Sequence, residues 1–90
     1  MEPKNIFRIE IPKNVQKYIK RQDSSFKERL NIVLNDLSVN PYNNDGELSG
    51  HKRLFKKRFG KYRLLFEIHQ NILTVTLVGL DSRGQVYNIL

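Results

Sequence analysis

The chain has 90 residues, a formal net charge of +7 and no cysteine. This length accommodates one domain with one core and excludes a separate nucleotide-binding domain beside a substrate domain. The lack of cysteine excludes disulfides and thiolate metal sites, and the 39% hydrophobic fraction is typical of a globular protein. We therefore expect a single domain over residues 1–90.

The first half of the chain predicts one strand and a helix. Residues 6–11 (IFRIEI) alternate apolar and polar side chains, as a half-buried strand does. Pro12 suits the first turn of a helix, where its missing N–H is not needed. Val15, Tyr18 and Ile19 then share one side of that helix at three- and four-residue spacing.

A second helix has signals at both ends. Asp23 or Ser24 is predicted to cap it. Its apolar stripe has helical spacing and comprises Phe26, Leu30, Val33, Leu34 and Leu37. The Asn40-Pro41 pair ends the helix, because the residue before proline avoids the helical conformation. The two helices account for residues 12–38, and residues 40–50 predict a surface loop.

The second half predicts a β-hairpin. Residues 54–59 and 62–68 are strand-like and flank Gly60-Lys61, a compact hairpin signal. Residues 69–71 form the next turn.

A further strand is predicted over residues 72–80, apolar enough to be central and covered on both faces. A turn over residues 81–84 and a short strand over residues 85–89 follow. The order β-α-α-β-β-β predicts an α+β fold, with a helical hairpin packed on one face of a mainly antiparallel sheet.

The cellular location is predicted from two patterns that the sequence lacks, a membrane span and a signal peptide. The apolar run over residues 72–80 is far too short to cross a bilayer. The first residues lack the pattern of a signal peptide, which predicts a cytoplasmic protein.

Residues 48–66 are strongly basic. They contain no acid and seven cations, namely Lys52, Arg53, Lys56, Lys57, Arg58, Lys61 and Arg63. Such charges repel one another in a folded sheet, and a bound anion relieves that repulsion. A polyphosphate backbone is the commonest such anion. The alternative is a solvated basic face that binds nothing.

Strand alternation sorts these cations. Phe55 and Phe59 predict the core face of the first hairpin strand, which sends Lys56 and Arg58 to the opposite, open face. Arg63 joins them if the hairpin register is tight. Lys57 falls on the core face and is expected to extend its ammonium to an edge.

No conventional catalytic or metal-binding motif is present. The sequence has no HExxH, nucleophile elbow or phosphate-binding glycine loop. His51 and His69 lack ligand-like spacing, so we expect them to be structural or exposed and predict no metal site.

Three short motifs follow one another in the second half. They are Leu-x-Gly at residues 48–50, an aromatic-basic-x-basic strand running to Gly-x-Tyr-Arg at residues 55–63, and Arg-Gly-x-x-Tyr at residues 83–87. In this order and spacing they resemble the RelE branch of the RelE/ParE toxin superfamily. The first half resembles the helical hairpin of that family, so the resemblance covers nearly the whole chain.

The resemblance implies the toxin of a type II toxin–antitoxin pair that cuts mRNA in the ribosomal A site. The 2′-hydroxyl would attack the adjacent phosphorus without metal or cofactor. The implied partners are the ribosome, mRNA and an acidic, RelB-like antitoxin, with no membrane.

Site roles follow from the same resemblance. Arg63 would hold the phosphate, and Arg58 would stabilise transition-state charge. Arg83 would stabilise the leaving oxygen or donate its proton indirectly, and Tyr87 would stack on a base or transfer a proton. Lys56 would favour the deprotonated form of a neighbouring group. The other cations are expected to bind RNA: Lys52, Arg53, Lys57 and Lys61.

One position departs from the family pattern. Some members carry an arginine two positions before Arg83, where this chain has Asp81. The Asp81 carboxylate would repel the phosphate or pair with a cation.

Two other functions stay open. ParE-type relatives inhibit DNA gyrase through a protein contact, and they generally lack the basic residues and the tyrosine to which the resemblance assigns catalytic roles. A non-catalytic RNA-binding module would bind through the same basic face.

Overall fold

The structure is a computed structural model that describes residues 6–48, 50 and 53–82. Their elements follow the predicted order: β1 (Arg8–Glu10), α1 (Lys13–Lys20), α2 (Ser24–Val39), β2 (Leu54–Phe59), β3 (Tyr62–His69) and β4 (Thr74–Ser82). A short 3₁₀ turn (Gln70–Ile72) links the last two strands. The predicted strand over residues 85–89 lies outside the described residues.

The four strands form one mixed sheet in the order β1-β4-β3-β2. The pairs β2–β3 and β3–β4 are antiparallel, whereas β1 pairs parallel with β4. Two helices and the β2–β3 hairpin connect β1 to β4 along the chain. A parallel pair requires a long connection of this kind. The α+β prediction is confirmed.

The core lies between the helices and one face of the sheet. Its buried members are Phe7, Val15, Phe26, Leu30, Val33, Leu37, Leu64, Phe66, Val75, Leu77 and Leu80. Phe26 packs against Tyr62 with ring centroids 4.7 Å apart and against Phe59 at 5.7 Å. This aromatic group attaches the start of α2 to the hairpin end of the sheet.

The helix boundaries largely match the sequence signals. Asp23 caps α2, with its Oδ1 accepting the Phe26 main-chain N–H at 2.9 Å. The helix ends at Val39, directly before Asn40. Pro12 departs slightly from the prediction, because it is the extended N-cap residue and α1 begins at Lys13.

The boundaries of β4 correct the prediction. The strand runs from Thr74 to Ser82 rather than over residues 72–80. Ile72 belongs to the 3₁₀ turn, which Leu73 closes in the left-handed conformation at φ 46°. At the other end Asp81 pairs with Arg63 in the register, so the strand continues where a turn was predicted. Alternation alone does not show how far a partner strand extends.

The helices cover one face of β4, and none of residues 74–80 is exposed on either face, which agrees with the predicted central strand covered on both faces. On the opposite face, here called the outer face, lies a small apolar cluster. Leu54 and Leu65 are buried in it, and Leu48 and Val78 pack against them. Leu48 comes from the loop before β2, so this loop covers the middle of the outer face. Within the described part of the chain, no helix is long and apolar enough to span a membrane.

Candidate active site

The β2–β3 hairpin brings three predicted catalytic cations to one end of the outer face. Arg58 and Arg63 are direct register partners, and Lys56 is the partner of Leu65. Paired residues on neighbouring strands point to the same face, so all three belong to one side of the sheet. The tight turn sets this register, with Gly60 at φ +60° and Phe59 paired with Tyr62. The predicted condition for Arg63 to join the other two is met.

These cations line one cleft, together with an acid. Its lining residues are Asp45, Lys56, Arg58 and Arg63. Arg58 is exposed, whereas Lys56 and Arg63 are half-buried. The lysine and both arginines only donate hydrogen bonds, and the planar guanidinium fork matches phosphate oxygens. The cleft can therefore bind a phosphate group and stabilise negative charge that develops on it.

Asp45 reaches the cleft because its loop pairs with the edge of β2. The Asp45 N–H donates to the Lys56 carbonyl at 2.8 Å, and the Lys56 N–H donates to the Gly46 carbonyl at 3.0 Å. Further along, the Leu48 N–H donates to the Leu54 carbonyl at 2.7 Å. These bonds protect a sheet edge that would otherwise be open to another strand. They also place a carboxylate beside the three cations.

Three other predicted RNA contacts are not among the residues that line this cleft. The Lys57 ammonium extends to the loop and donates to the Asn43 carbonyl at 3.1 Å, which agrees with the predicted extension to an edge. Arg53 directly precedes β2 and lines a separate groove with His69. Lys61 is exposed in the hairpin turn, its ammonium 5.8 Å from the Tyr62 ring centroid. As RNA contacts these three residues stay predictions.

Three predicted site residues lie outside the described residues, namely Lys52, Arg83 and Tyr87. Strand β4 ends at Ser82, which pairs with Tyr62 at the hairpin end of the sheet. Asp81, the departure from the family pattern, is the direct register partner of Arg63. The backbone therefore brings position 81 to the cleft end of the outer face.

Two residues near the site were not found from sequence. Asp45 lies in a loop, where no periodicity indicates direction, and it is near the cations only through the pairing of loop and strand. Arg29 is on α2, and its guanidinium lies 3.0 Å from the position that a Cβ on Gly60 would occupy. Its cation therefore reaches the hairpin turn from the helical side.

The prediction of no metal site is not contradicted. Among residues 6–48, 50 and 53–82, no group of three metal-ligating side chains is found. His69 Nε2 lies 3.2 Å from Glu67 Oε1, and both side chains are partly exposed. His51 is outside the described residues.

Comparison with known proteins gives one family and a set of related folds. The model of the ParE toxin of type II toxin–antitoxin systems matches residues 9–87. Comparison with the curated proteins gives no significant match.

Among solved structures, RelE in the RelE–RelB complex of Pyrococcus horikoshii has a TM-score of 0.77 at 21% identity, covering 89% of this chain and 98% of that one. The toxin–antitoxin complex RelBE2 of Mycobacterium tuberculosis gives 0.75 at 20% identity, covering 93% and 100%. The isolated E. coli RelE toxin gives 0.76 at 19% identity, covering 91% and 92%. These likenesses establish a shared fold.

Proposed function

The chain belongs to the ParE toxin family of type II toxin–antitoxin systems, within the RelE/ParE superfamily, and we propose that it is a ribosome-dependent mRNA endonuclease. The superfamily prediction is confirmed. The observation that carries the proposal is the cleft lined by Lys56, Arg58 and Arg63. A surface that only contacts another protein does not need three phosphate-binding side chains at one point.

The proposed reaction is attack by a 2′-oxygen on the adjacent phosphorus. The 2′-O–P bond forms, the P–O5′ bond breaks, and the products carry a cyclic phosphate and a 5′-hydroxyl. Arg63 would hold the non-bridging oxygens, and Arg58 would stabilise the charge that grows on them. Removing one such donor typically lowers the rate by about 10²–10³-fold. Arg83 and Tyr87 keep their predicted roles at the leaving oxygen and in stacking or proton transfer.

The lining of the cleft supports dependence on the ribosome. Within the described part of the chain it contains cations and one acid but no aromatic side chain. Contacts to phosphate position the RNA backbone and do not by themselves read its bases. A second surface, together with the stacking proposed for Tyr87, would then hold the nucleotide in line for attack, and correct orientation supplies a large part of the rate of such reactions. The ribosomal A site would supply that surface, in the cytoplasm.

The test is primer extension on a defined mRNA programmed into ribosomes, with free RNA as control. We expect cuts at A-site codons on the ribosome and an intact free RNA. An intact message on the ribosome would overturn the proposal.

Gyrase inhibition is the second candidate, because the matching family model is that of the ParE toxin. It predicts loss of DNA supercoiling by purified gyrase in the presence of the protein. Tyr87→Ala separates the readings, because it removes both the stacking ring and the hydroxyl. It should abolish mRNA cleavage by an endonuclease while leaving ribosome association intact, and it should leave a gyrase inhibitor toxic. A non-catalytic RNA-binding module would bind RNA with a steep salt dependence, cut nothing and be insensitive to this substitution.

An antitoxin is the proposed protein partner. RelE occurs in complex with RelB in the P. horikoshii structure, and RelBE2 is a toxin–antitoxin complex. In this chain the basic end of the outer face would attract an acidic segment. Binding of that segment would compete with RNA, so the antitoxin should block cleavage in the primer-extension assay.

A further inference from the structure

Asp45 is the acid of the cationic cleft, and the reaction proposed above assigns it no role. A carboxylate near a phosphate-binding site repels the substrate, which weakens binding unless the acid contributes to the reaction or to the structure. Asp45 lines the cleft with Lys56, Arg58 and Arg63. Its position therefore needs a physical reason.

Two hydrogen bonds hold Asp45 in place. Its N–H donates to the Lys56 carbonyl at 2.8 Å. Its Oδ2 accepts the Arg58 main-chain N–H at 2.6 Å. The carboxylate is therefore fixed beside the two β2 residues whose side chains line the cleft. Its other carboxylate oxygen, Oδ1, accepts no hydrogen bond from the described residues.

The chemistry of the cleft requires a proton acceptor. Attack by a 2′-hydroxyl needs a group that removes its proton, and lysine and arginine in their charged forms only donate. Among the described residues that line the cleft, Asp45 is the one side chain able to accept a proton. We propose that Asp45 is the general base that activates the 2′-hydroxyl, an inference that rests on the proposed endonuclease function.

The step balances without metal or redox partner. The 2′-O–H proton passes to the Asp45 carboxylate as the 2′-O–P bond forms and the P–O5′ bond breaks. The departing 5′-oxygen takes a proton from a water molecule, and protonated Asp45 then releases its proton to solvent. The three cations stabilise the phosphorane charge throughout.

The alternative is that Asp45 only tethers its loop to β2. Asp45→Asn separates the two roles, because the amide oxygen can still accept the Arg58 N–H but cannot act as a base. Glu47→Gln is the matched control. Glu47 lies two residues away, and its Oε2 accepts the Arg53 main-chain N–H at 3.2 Å. Glu47 therefore ties its loop to the start of β2 in a similar way, but it is not among the residues that line the cleft.

The experiment measures single-turnover cleavage of mRNA on programmed ribosomes, ribosome co-sedimentation and thermal melting for the three proteins. For Asp45→Asn we expect a loss of about 10²–10⁴-fold in cleavage rate, with unchanged melting and equal or tighter ribosome binding. Glu47→Gln should cleave within about twofold of wild type, because its neutralised group does not line the cleft.

Three outcomes would overturn the inference. Cleavage by a folded Asp45→Asn within about threefold of wild type, well below the usual contribution of a general base, would show that the acid only tethers the loop. An equal loss in Glu47→Gln would assign the effect to loop structure. An uncut message with the wild-type protein would remove the endonuclease function itself, and the inference with it.

Discussion

The two ends of the outer face carry similar numbers of charged side chains but arrange them differently. At the far end, Arg8 pairs with Glu10 at 3.5 Å, and Glu67 lies 3.2 Å from His69. Thr76 also donates to Glu10 at 3.3 Å. At the hairpin end, the described lining of the cleft holds three cations and one acid. The far end balances its charges internally, whereas the hairpin end keeps an excess of positive charge.

This difference separates surface chemistry from a candidate site. Exposed ion pairs such as Arg8–Glu10 contribute roughly 0–1 kcal/mol and serve mainly solubility. An excess of like charge in one cleft destabilises the free protein and is relieved by an external anion. The hairpin end is therefore expected to depend on its individual cations, and the far end is not. Four predictions test this comparison.

The largest effect is expected for Arg63→Ala. Loss of the guanidinium proposed to hold the phosphate should lower mRNA cleavage on programmed ribosomes by about 10²–10³-fold. Arg8→Ala removes the same type of side chain at the far end and should leave the rate within about twofold, as for other exposed positions. Equal losses in both variants would mean that overall charge, rather than the cleft, determines activity.

The apolar cluster between the two ends should contribute to stability. Leu65 is fully buried on the outer face, as Leu64 is on the core face. Leu65→Ala should lower the free energy of unfolding by about 2–3 kcal/mol, and Leu64→Ala by up to about 5 kcal/mol. Urea denaturation monitored by circular dichroism measures both values. An unchanged midpoint for Leu65→Ala would indicate that the loop does not cover the outer face in solution.

The hairpin turn should have a smaller effect that acts through geometry. Gly60 has φ +60°, a region that costs most other residues about 1–2 kcal/mol. Gly60→Ala should lower the free energy of unfolding by about that amount. Gly60→Asn should lower it less, because asparagine tolerates this conformation. If both variants unfold like wild type, the turn does not determine the Arg58–Arg63 register.

The smallest effect is expected for Lys56→Gln, measured as the salt dependence of binding to single-stranded RNA. Loss of one phosphate contact should reduce the slope of log K against log salt by about 0.7. Glu67→Gln at the far end removes a charge without a phosphate contact and should leave the slope unchanged. A slope that does not distinguish the two variants would place Lys56 outside the RNA contact.

Much of the fold was predictable because the relevant signals are local. The Asp23 cap, the end of α2 at Asn40-Pro41 and the Gly60 turn each depend on a few adjacent residues, and the structure confirms all three. The limits of β4 were not predictable in the same way. They depend on pairing with β3. This pairing continues as far as Ser82 of β4 and so extends β4 past residue 80.

The candidate site divides in the same manner. Alternation along β2 determined from sequence alone that Lys56 and Arg58 share a face, since successive side chains of a strand point to opposite sides. Only the tertiary structure decided that Arg63 is the partner of Arg58, that Lys57 extends to the Asn43 carbonyl, and that Asp45 enters the cleft. Asp45 and Arg58 are 13 residues apart, and their contact exists because a loop pairs with the edge of a strand, an arrangement that no local pattern encodes.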